Sequence, residues 1–149
     1  MRNSCLIIVF IALLAWQCND SEPLTGDNRV KNIKPAGFID YGCSGQTILP
    51  KSNSRCAYLE NFTVANDTLK LIIMYEGNCC PGFTDSIKVL NGGVEIIKKD
   101  SLYDCRCICN YENEYSFLFE GSGKFSLSFI TYSTEGNYYC SLDTAIIIP

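Results

Sequence analysis

Short runs in which every second residue is apolar, each closed by a glycine- or asparagine-rich turn, recur through most of this 149-residue chain. From Lys124 to Tyr132, Phe125, Leu127 and Phe129 fall on one side and Ser126 and Ser128 on the other, the period of a half-buried strand. Tyr115 to Glu120 precedes it across Gly121-Ser122-Gly123, whose glycines can take positive φ and suit a hairpin loop. Ser86 to Leu90 and Val94 to Lys98 flank Asn91-Gly92-Gly93, and Tyr58 to Val64 and Leu69 to Tyr75 flank Asn66-Asp67, in the same way. Cys105 to Asn110 and Ala145 to Ile148 complete a set of about eight strands. With no long helical stripe, the pattern predicts an all-β domain over residues 36–149, an antiparallel β-sandwich or small barrel. A ferredoxin-like or α/β fold needs helices that this sequence does not offer.

Cysteine without histidine is the second constraint. Setting aside Cys5 and Cys18 near the N-terminus, the remaining cysteines are Cys43, Cys56, Cys79, Cys80, Cys105, Cys107, Cys109 and Cys140. An even set in a small extracytoplasmic domain reads first as a disulfide framework, expected here to use all eight. If Cys105 to Cys109 is a strand, its three thiols share one face about 6.6 Å apart at best and must find partners elsewhere. A vicinal Cys79–Cys80 bridge strains the peptide between the two. The expected arrangement is therefore Cys43 with Cys56, and Cys79, Cys80 and Cys140 serving Cys105, Cys107 and Cys109. The competing reading is a thiolate metal site, because Cys-x-Cys-x-Cys beside Cys-Cys can present four thiolates to zinc or an iron–sulfur cluster. Its spacing departs from a zinc knuckle, and no Cys-x-x-Cys redox motif occurs.

The N-terminus supplies the compartment. Arg2 is followed by an apolar run from Cys5 to Trp16, then by Cys18 and polar Asn19-Asp20-Ser21-Glu22. Twelve helical residues span only about 18 Å, short of the roughly 30 Å hydrocarbon core, so the run reads as a signal-peptide core rather than a membrane span. The arrangement resembles a bacterial lipoprotein signal, cut before a cysteine that is then lipidated. Gln17 and Trp16 depart from the commonest lipobox and fit the looser pattern of Bacteroidetes-type lipoproteins. The alternative is an uncleaved signal anchor with an ordinary thiol at Cys18. The division expected is a signal peptide at 1–17, lipidated Cys18 with a flexible tether through residue 35, and a cysteine-rich β domain at 36–149. Such a tether holds the domain about 20 to 25 Å from its anchor.

Charge and chemistry narrow the function. The chain carries 12 basic and 16 acidic residues, and loss of Arg2 with the leader makes the mature chain more acidic still. Nucleic acid is not an expected partner, since nothing here supplies counterion release. The membrane is contacted through the lipid. Absence of histidine removes the usual base of hydrolytic triads. The carboxylates Glu112 and Glu114, or Asp100 and Asp104, have the residue type of a glycosidase pair but read better as solvated strand-end residues. No catalytic residue, cofactor or metal is assigned.

Asp followed by Ser or Thr and an apolar residue recurs at Asp67-Thr68-Leu69, Asp85-Ser86-Ile87, Asp100-Ser101-Leu102 and Asp143-Thr144-Ala145. The triplet resembles the O-glycosylation motif of Bacteroidetes-type exported proteins, which implies sugar on Thr68, Ser86, Ser101 and Thr144. The physical alternative is that Asp favours the turn and the apolar residue starts a strand. With Cys79-Cys80-Pro81-x-Phe83 and the Cys-x-Cys-x-Cys run, the chain resembles small cysteine-rich lipoproteins of that bacterial group, a resemblance that implies an outer-membrane location, periplasmic or surface-facing, and no activity. The reading that follows is a non-enzymatic binding or structural module with a protein or glycan ligand, Tyr138 and Tyr139 beside Glu135-Gly136-Asn137 being one candidate sugar-stacking loop. A zinc lipoprotein and a small hydrolase are the alternatives.

Overall fold

The computed structural model describes residues 28–47, 56–79, 82–100, 108–132 and 138–149. Its elements are β1 (Lys31–Thr47), β2 (Ala57–Ala65), β3 (Thr68–Asn78), β4 (Phe83–Leu90), β5 (Gly93–Asp100), β6 (Ile108–Glu120), β7 (Gly123–Tyr132) and β8 (Tyr138–Ile148). They form two four-stranded sheets, ordered β1-β6-β3-β2 and β4-β5-β7-β8, packed face to face as a sandwich. No helix occurs among the described residues, and so none is long and apolar enough to cross a membrane.

Alternation sets the core. On β6 the odd-numbered positions from Cys109 to Phe119 are buried, and they meet Leu69, Leu71, Ile73 and Tyr75 of β3. From the other sheet come Val94 and Ile96 of β5, Phe125, Leu127 and Phe129 of β7, and Ile146 and Ile148 of β8. Tyr75 stacks on Tyr111 with ring centroids 5.3 Å apart and meets Phe83 edge-on at 5.7 Å, so aromatic rings span the inter-sheet space at one end.

Four expectations are corrected. Residues 31–35, expected in the tether, already belong to β1, and Val30 and Ile33 are buried. The chain enters the fold earlier because Asn28 O accepts from Lys124 N and Lys124 O accepts from Val30 N. The described part of the predicted strand at 105–110, from Ile108, and the strand at 115–120 are parts of one β6, whose alternation continues unbroken. Gly121-Ser122-Gly123 is an inter-sheet corner and not a hairpin, since β6 and β7 lie in different sheets. The second sheet is also not wholly antiparallel: β5 and β7 run parallel, connected through β6 in the opposite sheet. This pairing requires Gly93, where a Cβ would lie 2.1 Å from Ser126 O. The hairpins at Asn66-Asp67 and Asn91-Gly92 form as expected, with positive φ at Asn66 and Gly92.

The disulfide pairing differs from that expected as well. Cys43 joins Cys109, and Cys56 joins Cys140, with Cα–Cα distances of 5.7 and 5.6 Å. Cys43 is in β1, beside the inward face of β6 and in register with Tyr111, which brings it next to Cys109. Cys56 precedes β2, at the edge of one sheet that abuts β8 of the other, so its bond to Cys140 joins the two sheets. Cys79 is disulfide-bonded too. Cys80, Cys105 and Cys107 lie outside the described residues.

Candidate functional site

Two places in the fold carry polar or aromatic groups that packing alone does not require. The first is internal. Inward positions of β5 read Val94, Ile96, Lys98, Asp100, so the strand's alternation drives two charged side chains toward the core, where Lys98 is 1% and Asp100 3% exposed. Asp85, directly opposite Lys98 on β4, answers it: Lys98 Nζ donates to Asp85 Oδ1 at 2.8 Å. Tyr115 O–H of β6 donates to Asp85 Oδ2 at 2.9 Å. The rings of Phe38, Phe83 and Tyr75 stand 5.1, 5.2 and 5.5 Å from Nζ, a cation–π surround that partly replaces water.

Beside this cluster, Asn113 Nδ2 donates to Asp40 Oδ1 at 3.0 Å, and the same carboxylate oxygen accepts from Gly42 N at 2.8 Å. Tyr75 Oη and Asn113 Oδ1 are buried with no hydrogen-bond partner among the described residues. Burial, with Asp40 and Asp85 nearby, pushes the Tyr75 phenol well above its ordinary value. Burial and then the Asp85 charge do the same to Tyr115, which keeps both phenols protonated.

The second place is the outer face of β1-β6-β3-β2. Ile39 and Tyr41 of β1, Leu118 of β6 and Tyr58 of β2 are exposed, and Ile72 and Met74 of β3 are half-buried between them. At its centre Glu114 Oε1 accepts from Lys70 Nζ at 2.9 Å and Glu114 Oε2 from Tyr41 O–H at 3.2 Å. The Lys70 hydrogen bond, more than any other influence, holds the Glu114 carboxyl below its ordinary range. The outer face of the other sheet is richer in hydroxyl and lysine side chains, with Thr84, Ser86, Lys88, Lys99, Lys124, Ser126 and Ser128 on β4, β5 and β7, and it exposes Leu90 and Ile147. A groove of about 370 Å³ at the β6–β7 corner, lined by Arg29, Lys31, Glu120 and Ser122 among others, is shallow and open.

The residues singled out by sequence are distributed as follows. Disulfide bonds occupy Cys43, Cys56, Cys79, Cys109 and Cys140, and a disulfide sulfur is not a thiolate ligand, which takes these five from the zinc reading. Glu112 and Glu114 are i, i+2 on the outer face of β6, where Glu114 is engaged by Lys70 and Tyr41. Asp100 is buried, and Asp104 lies outside the described residues.

The Asp-Ser/Thr triplets divide. Thr68 opens β3 after its turn, as the strand-start explanation requires, but Ser86 and Thr144 are inside β4 and β8. Ser86 is exposed on the outer face, while Thr144 is half-buried opposite Leu127. Ser101, Cys18 and residues 135–137 lie outside the described residues, and Tyr138 and Tyr139 are placed only as backbone in β8. The Lys98 cluster was not found from sequence, although the Val94-x-Ile96-x-Lys98 alternation already put a lysine on the apolar side of its strand. No family model, curated protein or solved structure matches this chain.

Proposed function

We propose that this protein is a non-enzymatic, lipid-anchored component of the bacterial cell envelope, attached through Cys18 at the outer membrane, and that it binds a protein or glycan through the outer face of β1-β6-β3-β2. The observation that carries the binding part is the contrast between the two outer faces. One presents exposed Tyr41 and Tyr58 with Ile39 and Leu118, whereas the other presents Ser, Thr and Lys with exposed Leu90 and Ile147 and no exposed tyrosine among the described side chains. Tyrosines among apolar and charged side chains on a sheet face give large amphipathic contact area at low entropic cost, suited to sugar faces and protein surfaces alike. The anchor part rests on the short apolar leader and Cys18. The resemblance to Bacteroidetes-type exported proteins adds O-glycosylation at Thr68, Ser86, Ser101 and Thr144 to this reading, with Ser86 the most accessible of the three described.

The test is site-specific photo-crosslinking in the native host. A photoreactive residue at Tyr41 or Tyr58 is expected to capture a protein or sugar-staining adduct that the same residue at Lys99 or Ser126 does not. Equal capture from both faces, or none from either, removes the face from consideration. Fractionation of Cys18→Ala tests the anchor separately: release from the membrane is expected, and unchanged retention rejects lipidation.

A further inference from the structure

We propose that Lys98 and Asp85 become joined by an isopeptide bond, a covalent link between β4 and β5. The two residues are direct cross-strand partners, and both side chains turn into the inter-sheet space, with side-chain exposures of 1% and 17%. With Nζ 2.8 Å from Oδ1, the nitrogen lies against the carboxyl group whose carbon it would attack. Strand register holds it there without searching.

The reaction needs a neutral amine and a neutral carboxylic acid. In water an ammonium and a carboxylate stay charged and inert toward one another. The attack starts from the tautomer in which one ammonium proton has passed to the Asp85 carboxylate, with the rings of Phe38, Phe83 and Tyr75 lining the Lys98 side of the pair. Tyr115 O–H, donating to Oδ2, polarises the carboxyl group as the amine attacks and stabilises the charge that develops on that oxygen.

The balance closes without a further reactant. The Nζ lone pair forms a bond to Asp85 Cγ, and one Cγ–O bond breaks. Of the three ammonium protons, one remains on the amide nitrogen and two leave with the oxygen as water. No group is oxidised or reduced, and the pair is neutral overall before and after. The product replaces a buried ammonium and a partly buried carboxylate with an amide, which ends the desolvation cost of keeping Lys98 charged. The consequence for the fold is local. Among the described residues β4 is an edge strand paired with β5, and the bond would secure it independently of the redox state of the cysteines.

The experiment is intact-mass and peptide analysis of the full mature chain after reduction and alkylation. The expected result is a mass one water below the sequence and a branched peptide linking positions 85 and 98. Asp85→Asn is expected to give the same branched peptide with loss of ammonia, and Asp85→Ala and Lys98→Arg only linear ones. Because succinimide formation at Asn91-Gly92 also releases ammonia, the branched peptide, not the mass alone, is the readout. Linear peptides carrying unmodified Asp85 and Lys98 from the folded wild-type protein overturn the proposal and leave a permanent ion pair.

Discussion

Removing the Cys56–Cys140 bond by Cys56→Ala/Cys140→Ala tests how the sandwich is held. The bond spans 84 residues and Cys43–Cys109 spans 66, and the two interlock in sequence. If Cys56–Cys140 acted alone, closing its loop would contribute about 4.5 kcal/mol by chain entropy. With Cys43–Cys109 intact, however, the shorter route from Cys56 to Cys140 runs back to Cys43, across that bond and on from Cys109, a path of about 44 residues, which lowers the expected loss to about 4 kcal/mol. The same route closes the loop of Cys43–Cys109 when Cys56–Cys140 is intact. Counting these two bonds, chain-entropy reasoning predicts equal losses for the two double variants, although one bond joins neighbours within a sheet and the other joins two sheets. Thermal unfolding under non-reducing conditions, followed by circular dichroism, should show each melting temperature fall by about 15 °C. A loss below about 1 kcal/mol for either, or a difference between them of more than about 2 kcal/mol, refutes the entropic account and places the effect in native contacts at β2–β8 or β1–β6.

Gly93→Ala drives a Cβ against Ser126 O at the start of the parallel β5–β7 pair, and urea titration should show a loss of about 3 kcal/mol or more; a near-neutral result would mean that this pairing is not made. Tyr75 and Tyr115, two of the nine tyrosines, should resist ionisation in an ultraviolet alkaline titration until the protein unfolds. Their folded-state values lie above the unfolded value near 10, so their contribution to stability is complete below about pH 10 and is lost as pH rises; full titration of all nine in the folded protein contradicts their burial. Glu114 should titrate below an ordinary glutamate by nuclear magnetic resonance, with Lys70→Met moving it upward. Its stabilising contribution is present above the unfolded value near 4.3 and fades as pH falls, and no response to Lys70→Met would show that the pair is not formed in solution.

The all-β sandwich was legible because its central strands obey a strict period. β3, β6 and β7 bury every second side chain, and turn residues end them. β1 was not legible: Lys31–Thr47 includes Pro35, Gly37, Gly42 and Gly45, and its pairing with β6 shifts register four times. Each shift resets which side chains face inward, so no window of the sequence shows alternation long enough to recognise. That omission propagated into the disulfides, since without β1 nothing brings Cys43 to Cys109 and the nearest candidate along the chain is Cys56. The corner at Gly121 escaped for a different reason. Positive-φ glycines allow the chain to return along the same sheet or to cross to the other, and the choice is made by distant partners, Asp67 O accepting from Phe119 N and Asn28 O accepting from Lys124 N.

The Lys98 cluster shows what local pattern can and cannot locate. Alternation on β5 assigns Lys98 to the buried side, and taken alone that assignment looks like an error, because an unpaired buried ammonium is among the costliest groups a small core can hold. What makes it tolerable comes from four other strands: Asp85 from β4, Tyr115 from β6, Tyr75 from β3 and Phe38 from β1. Of these, only Asp85 is placed by a local signal, the Asn91-Gly92 hairpin that sets β4 against β5. The cluster thus becomes visible where a strand rule puts a charge on the wrong face and a neighbouring hairpin supplies its counter-charge at the same level. Asp85 also heads one of the Asp-Ser/Thr triplets, so its contacts with Lys98 and Tyr115 give that aspartate a structural reason independent of any sugar on Ser86. Removing Asp85 alone should therefore cost about 3 to 5 kcal/mol more than replacing both partners by Asp85→Ala with Lys98→Met, because only the single variant strands Lys98.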